Sequence, residues 1–307
     1  MAGPLAGVPL AVVGGDRREL ELVRALAAGG ARIRVVGLPA PACANVEPAA
    51  TLLEAVAGVR AVVAPMAGTD ESGAVVAPLV PGAQLRLDEA FMRALGPGVP
   101  LFIGTVQPAV ARAARAHRVR VVELAAVEEI AIANSVPTAE GAVLVALERL
   151  PVTIHGAAAL VVGFGRCGTA LARLLAAMGA RVGVAARGPA DLARAEAMGL
   201  VPWPWAKLVE AVAVQDVIFN TVPALVLDRG VLACTRADVL IVDIASAPGG
   251  TDFTAARELG REAVLALGLP GKVAPVTAGR ILARYLPGLI QAELERPLGS
   301  PPMYDVS

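Results

Sequence analysis

Apolar residues along this chain fall in short runs, separated by stretches where they recur every third or fourth position. Leu10–Val13 is one such run. Gly14-Gly15-Asp16 closes it, and an amphipathic stretch, Arg17–Ala28, follows. Ala31–Val36 predicts the next strand, and Ala61–Ala64 and Leu101–Ile103 are further short runs bounded by Pro and Gly. The same alternation returns later, with strands predicted at Ala158–Val162, Arg181–Ala185, Asp216–Asn220, Val239–Ile244 and Ala263–Ala266. Strands alternating with helices imply mainly parallel sheets. Residues between about 66 and 100 are rich in Gly and Pro and are expected to form loops.

The stretch SVPTAEGAVLVALERL predicts a helix from about Pro137 to Leu150, ended by Pro151. Pro137 fits its first turn, and Ser135 or Thr138 fits its cap. This helix reads as the bridge between a domain over 1–150 and a second over 151–280. A last helix, Ala278–Glu295, is expected to pack back on the first domain, and the tail after Pro297 to fray. The fold class that results is α/β: two Rossmann-like, doubly wound domains with an interdomain cleft.

Composition narrows the function. At 307 residues the chain suits two domains of roughly 150 each. Hydrophobic residues reach 56%, but many are alanine. No run of about 18 uncharged apolar residues appears, so no segment is predicted to span a bilayer. The N-terminus lacks a basic leader and reads as mature protein. Cys43, Cys167 and Cys234 are scattered without paired spacing, which suits a reducing cytoplasm and disfavours disulfides or structural zinc. His117 and His155 have no metal-ligand partner at useful spacing, so no metal site is predicted. Lys+Arg and Asp+Glu stand at 27 each and aromatics at 3%, so nucleic-acid binding has little support. The only lysines are Lys207 and Lys272, which removes any lysine-based chemistry from the first half.

The strongest motif is AALVVGFGRCG. A buried strand ends at Val162, and Gly163-Phe164-Gly165-Arg166-Cys167-Gly168 supplies GxGxxG at the start of an amphipathic helix. Gly163 permits the tight turn, Gly165 lets a pyrophosphate approach the backbone, and Gly168 lets helix and strand pack closely. Free N–H groups at the helix start face the phosphates. The motif sits within a strand–helix–strand unit of suitable length, which makes it a nicotinamide-dinucleotide site. The next strand ends in Ala186-Arg187, where NAD-specific sites place a carboxylate for the ribose 2′-hydroxyl. A guanidinium there binds a 2′-phosphate instead, so NADP(H) is the expected cofactor. Asp191 lies close by and leaves NAD open. Two later strand ends are expected to face the cofactor, Thr221-Val222-Pro223 and Ala245-Ser246.

Six collinear stretches resemble the family of the dipicolinate synthase A-type subunit. They are GGDRREL at 14–20, NSVPTAEGA at 134–142, TIHGAAALVVGFGRCG at 153–168, NTVPALVL at 220–227, DIASAPGGTDF at 243–253 and GLPGKVAPVTAG at 268–279. The chain departs from the family's AP-K-TAG form at Val276. The resemblance implies the two-domain plan of formate and glycerate dehydrogenases. It implies oxidation of dihydrodipicolinate to dipicolinate with NADP, in the cytoplasm of the mother cell of a sporulating bacterium. It also implies a flavoprotein-like partner, the B-type subunit of the same synthase; a homo-oligomer is left open.

A dicarboxylate needs donors near the nicotinamide. Asp16-Arg17-Arg18 open a helix after a Gly-Gly turn, which would gather N–H groups and a cation at one place, and the resemblance points to Arg18. The equal alternative is a capped helix with solvated arginines. Asn134, Ser135 and Thr138 form a second candidate cluster for a carboxylate, unless they serve only to cap the helix. Glu140, or failing that Asp16, is the expected proton acceptor. Thr69, Gly104 and Thr105 are weaker candidates. A 2-hydroxyacid dehydrogenase would need a histidine late in the chain, and none follows His155; a shikimate-dehydrogenase-like enzyme would need a lysine before Lys207. A non-catalytic NADP-binding scaffold for the partner is the remaining alternative.

Overall fold

Two all-parallel sheets of six strands organise the chain, and their strand orders are the same when read from opposite edges. The computed structural model describes residues 3–297, so the tail expected to fray lies outside the described residues. One compact unit comprises residues 1–133 and 274–307, the other 134–273.

In the first unit the elements run β1 (Pro9–Val13), α1 (Arg17–Ala28), β2 (Arg32–Val36), β3 (Val46–Pro48), α2 (Leu52–Val56), β4 (Ala61–Val63), α3 (Glu89–Leu95), β5 (Pro100–Ile103), α4 (Pro108–Ala116) and β6 (Arg120–Glu123). The long helix α5 (Glu128–Arg149) leads into the second unit. There follow β7 (Ala158–Val162), α6 (Arg166–Ala177), β8 (Arg181–Ala186), α7 (Pro189–Ala197), β9 (Val201–Pro204), α8 (Leu208–Val212), β10 (Val217–Asn220), α9 (Arg229–Ala233), β11 (Leu240–Asp243), α10 (Phe253–Glu258), β12 (Glu262–Leu265) and α11 (Leu269–Val273). The last helix, α12 (Pro275–Glu295), returns to the first unit.

The sheet orders are β3-β2-β1-β4-β5-β6 and β12-β11-β10-β7-β8-β9. Numbered within its own unit, each is the doubly wound Rossmann order, whose switch point opens a crevice at the strand carboxyl ends. In the first unit that point lies between β1 and β4, and in the second between β7 and β10. The central strands are apolar on both faces because helices cover both faces. Leu10, Val12, Leu160, Val162, Phe219 and Ile241 are all fully buried.

Helix α12 packs on α1. A Cβ at Gly279 would stand 2.6 Å from the Arg18 carbonyl oxygen, so only glycine allows the two helices this close. Arg120 anchors the far end of α12, donating from Nη2 to the Glu293 carbonyl at 2.8 Å.

Several expectations change. Pro137 does not start a helix; it lies inside α5, which begins nine residues earlier at Glu128. Ser135 and Thr138 therefore cap no helix end. Thr138 Oγ1 instead donates back to the Asn134 carbonyl at 2.7 Å. Apolar spacing outweighs the one backbone hydrogen bond that proline removes. Ile130 enters the core of the first unit, and Ala139, Ala142, Val143 and Ala146 that of the second. The compact units consequently divide at 133/134 within α5, and again at 273/274, where the sequence suggested 150/151 and 280/281. By length and mean hydropathy, 1.5, α5 meets the composition of a membrane-crossing helix. Its apolar residues are accounted for in part by these two cores. In the stretch expected to be loop, Asp88 caps α3 by accepting from the Phe91 N–H at 3.0 Å.

Candidate dinucleotide site

The carboxyl end of β7 turns sharply into α6. Gly163 makes the turn at φ +94°, a backbone conformation that side chains resist. A Cβ on Gly168 would lie 2.2 Å from the Gly163 carbonyl oxygen, so the start of α6 rests directly on the turn. A Cβ on Gly165 would meet nothing within 4 Å. The three glycines thus have different tasks: two are packed against protein, and the third faces open space. Gly165 is also the N-cap of α6, and no side chain caps the helix. A helix start without a side-chain cap is one that can turn N–H groups to an anion.

Around this turn lies a cavity of about 450 Å³. Gly163, Phe164, Gly165, Arg166, Cys167, Arg187, Thr221, Val222, Pro223, Ala245 and Ser246 line it, together with Ala186, Asp191, Trp205 and Ile244. Every expected cofactor residue except Gly168 reaches the cavity wall, and Gly168 lies buried beneath the turn. Burial pushes the Cys167 thiol above its ordinary range, against the pull of the Arg166 charge, so it meets the cavity as a neutral group. Open glycine, uncapped helix start and cavity all fit a dinucleotide.

Two strand ends form the opposite wall. Thr221 Oγ1 donates to the Val162 carbonyl at 3.0 Å, fastening β10 to the phosphate turn. Asn220 and Asp243 are fully buried behind the lining. Asp243 Oδ2 accepts from Asn220 Nδ2 at 3.0 Å, the Gly250 N–H at 2.8 Å and Thr251 Oγ1 at 2.7 Å, while Oδ1 takes the Ala245 N–H at 3.0 Å. Asn220 Oδ1 accepts from the Val222 N–H at 3.1 Å. The pair therefore sets the paths of both lining loops.

At the end of β8 the Arg187 guanidinium stands 4.8 Å from the centre of the Trp205 ring. Asp191, on the same wall, is paired with Arg194 at 2.9 Å. Trp205 was absent from the sequence expectation because it lies beyond the fingerprint, after the edge strand β9. The Trp203-Pro204-Trp205 stretch carries no motif.

The first unit has the equivalent turn but a different filling. Asp16 caps α1, accepting the Arg18 N–H at 2.8 Å, and Glu19 reaches back to accept the Asp16 N–H at 2.8 Å. The free N–H groups expected there are thus taken by the helix's own carboxylates. Arg18 is buried and donates from Nε and Nη2 to Asp16. Among the described residues no partner takes Nη1. Burial alone would raise the Asp16 carboxyl, but its hydrogen bonds with Arg18 and that residue's charge hold it below its ordinary value. Burial pushes Glu19 up, and its oxygens accept from the Met66 and Asp16 N–H groups. Among the described residues the buried Thr69 hydroxyl has no hydrogen-bond partner; Arg17 is exposed.

Asn134, Ser135 and Thr138 share one turn of α5, with Ser135 buried. Glu140 is exposed and lines a separate apolar groove with Val136, Ala139, Ala170, Arg173, Leu174 and Ala177. It does not reach the dinucleotide cavity.

Comparison with known proteins gives a consistent assignment. Residues 9–125 match the model of the N-terminal domain of the dipicolinate synthase A-type subunit, and residues 124–246 that of the NAD-binding domain of D-isomer-specific 2-hydroxyacid dehydrogenases. The chain is 37% identical to the dipicolinate synthase A-type subunit of Bacillus subtilis (strain 168), over 94% of this chain and 99% of that protein. The crystal structure of the corresponding dipicolinate synthase subunit from Bacillus halodurans superposes with a TM-score of 0.89 at 37% identity, covering 95% of this chain and 99% of that one. A D-isomer-specific 2-hydroxyacid dehydrogenase from Lactobacillus delbrueckii ssp. bulgaricus, in NAD-complexed form, shares the fold alone. Its TM-score is 0.58 at 12% identity, over 98% of this chain and 100% of that one.

Proposed function

The chain belongs to the family of the dipicolinate synthase A-type subunit, and from that premise we propose that it oxidises dihydrodipicolinate to dipicolinate with NADP, beside a flavoprotein-like B-type partner. The observation that carries this reading is the open dinucleotide cavity at Gly163–Gly168, on a chain collinear with a full-length dipicolinate synthase polypeptide.

Oxidation removes a hydride and a proton from the dihydropyridine ring. Aromatisation supplies the driving force, so the protein's tasks are orientation and exclusion of water. When bound, NADP supplies the hydride acceptor. The start of α6 and the open face of Gly165 would hold its pyrophosphate, and Arg187 would hold its 2′-phosphate. Arg18, kept in place through its Asp16 pairing, offers Nη1 to one substrate carboxylate. Asn134 and Ser135 are the donors proposed for the other, since the Thr138 hydroxyl is committed to the Asn134 carbonyl. For the ring proton, Glu140 is disfavoured by its separate groove. Asp16, only partly covered and next to the anchoring cation, is the carboxylate we propose.

The test is to supply dihydrodipicolinate and NADP to the purified chain, first alone and then with the B-type partner. One NADPH should form per dipicolinate. Failure to form NADPH in both preparations would overturn the reading.

A further inference from the structure

We infer that Trp205 is a positioning residue for nucleotide specificity: its indole holds the Arg187 guanidinium where a 2′-phosphate is bound. The inference rests on the NADP reading above and adds to it the residue that makes Arg187 effective.

The Arg187 side chain leaves the end of β8, the strand whose carboxyl end borders the adenosine ribose in a fold of this order. Both Arg187 and Trp205 line the cavity. The guanidinium carbon lies 4.8 Å from the ring centre, within cation–π range. No hydrogen bond or ion pair engages Arg187 among the described residues. Asp191, the one carboxylate on that wall, is held by Arg194 instead. Arg187 is thus a cation whose one ordered contact is an aromatic face.

A stacked guanidinium is committed on a flat side only. Its N–H fork stays free in the plane, which is the geometry that a phosphate takes in two parallel hydrogen bonds. Without the stack, a long arginine at a strand end samples many rotamers, and each bound phosphate must arrest it. Trp205 is suited to hold it. The residue is half-buried in the short turn after β9 and packs against the apolar cluster that includes Leu208, Val212 and Ile218. It is itself fixed, and it fixes Arg187.

The experiment compares calorimetric titrations of NADPH and NADH on the wild type, Trp205→Leu, Trp205→Phe and Arg187→Leu. Trp205→Leu should weaken NADPH about two- to fivefold, the range of an exposed cation–π contact, and leave NADH affinity unchanged. Trp205→Phe, which keeps an aromatic face, should retain most of the NADPH preference. If Trp205→Leu keeps the wild-type NADPH-to-NADH ratio while Arg187→Leu loses it, the inference fails and the NADP reading stands. If both nucleotides weaken together in Trp205→Leu, or Phe does not rescue, Trp205 is only a packing residue and the inference is overturned. A wild type that binds NADH as well as NADPH would sink the NADP reading itself.

Discussion

Asn220 Nδ2 donates to Asp243 Oδ2 across 3.0 Å, in full burial, and so ties together the carboxyl ends of β10 and β11. Both loops that leave those ends line the dinucleotide cavity. Asp243 takes three further donors, none of them charged. Asp243→Asn would set an amide N–H₂ against N–H and O–H donors. We expect a loss of about 2–4 kcal/mol in stability, from unsatisfied buried donors, and a weaker grip on the dinucleotide. Urea denaturation together with NADPH titration checks both. A variant within about 0.5 kcal/mol of wild type would show the network to be dispensable.

The glycines of the turn should separate by phenotype. Gly165→Val places its side chain in open space at an ordinary φ of −77°. The fold should survive with near-normal stability, while dinucleotide affinity falls by at least about a hundredfold, because the pyrophosphate can no longer approach the backbone. Gly168→Ala puts a methyl 2.2 Å from a carbonyl oxygen, so it should lose about 1–3 kcal/mol of stability as well as binding. Circular-dichroism melts beside calorimetry distinguish the two patterns; equal stability losses would show that Gly165 is also a packing position.

Charge reversal at Arg187 asks about cofactor choice. In Arg187→Asp, the lost ion pair and the new repulsion act in the same direction against a 2′-phosphate. The NADPH preference should vanish or reverse. An unchanged ratio of the two affinities would remove Arg187 from the 2′-phosphate site.

The Asp16–Arg18 pair makes a pH prediction. The Asp16 carboxyl lies below its ordinary value of 3.8. A depressed carboxyl contributes stability that is complete above the ordinary value and is lost as pH falls through the folded one. Wild type should therefore shed this increment below about pH 4, and Asp16→Asn, which keeps the helix cap but not the charge, should lack that step. At neutral pH the variant should be less stable by about 2–4 kcal/mol, since Arg18 is left buried beside a neutral group. Its turnover should also fall if Asp16 takes the ring proton. Parallel acid limbs in the two proteins would show that the pair adds no stability.

The fold was legible because the first strand of each unit, β1 or β7, is a continuous apolar run ended by glycine. Leu10–Val13 and Ala158–Val162 could be little else, and the parallel order follows from strands alternating with helices. The dinucleotide wall was legible for the same reason, since its residues lie at strand ends and in one fingerprint. Helix α5 was misjudged because Pro137 is a strong local signal, while the burial of Ile130 upstream of it is set by tertiary packing. Trp205 and the Asn220–Asp243 link escaped because their partners are distant in sequence: 18 residues separate Arg187 from Trp205, and 23 separate Asn220 from Asp243. The capping of α1 by Asp16 and Glu19 was readable in outline, but its effect, closing that helix end to an external anion, depends on atom positions.

The central claim is that this chain carries the hydride from a dihydropyridine dicarboxylate to NADP. It is tested most directly with dihydrodipicolinate bearing deuterium at its sp³ ring carbons, supplied with NADP to the chain together with its B-type partner. The account predicts that one deuterium appears on the nicotinamide of the NADPH formed, with dipicolinate as the other product. Dipicolinate formed while NADPH stays unlabelled or fails to appear would contradict it, and would place the oxidation on the partner.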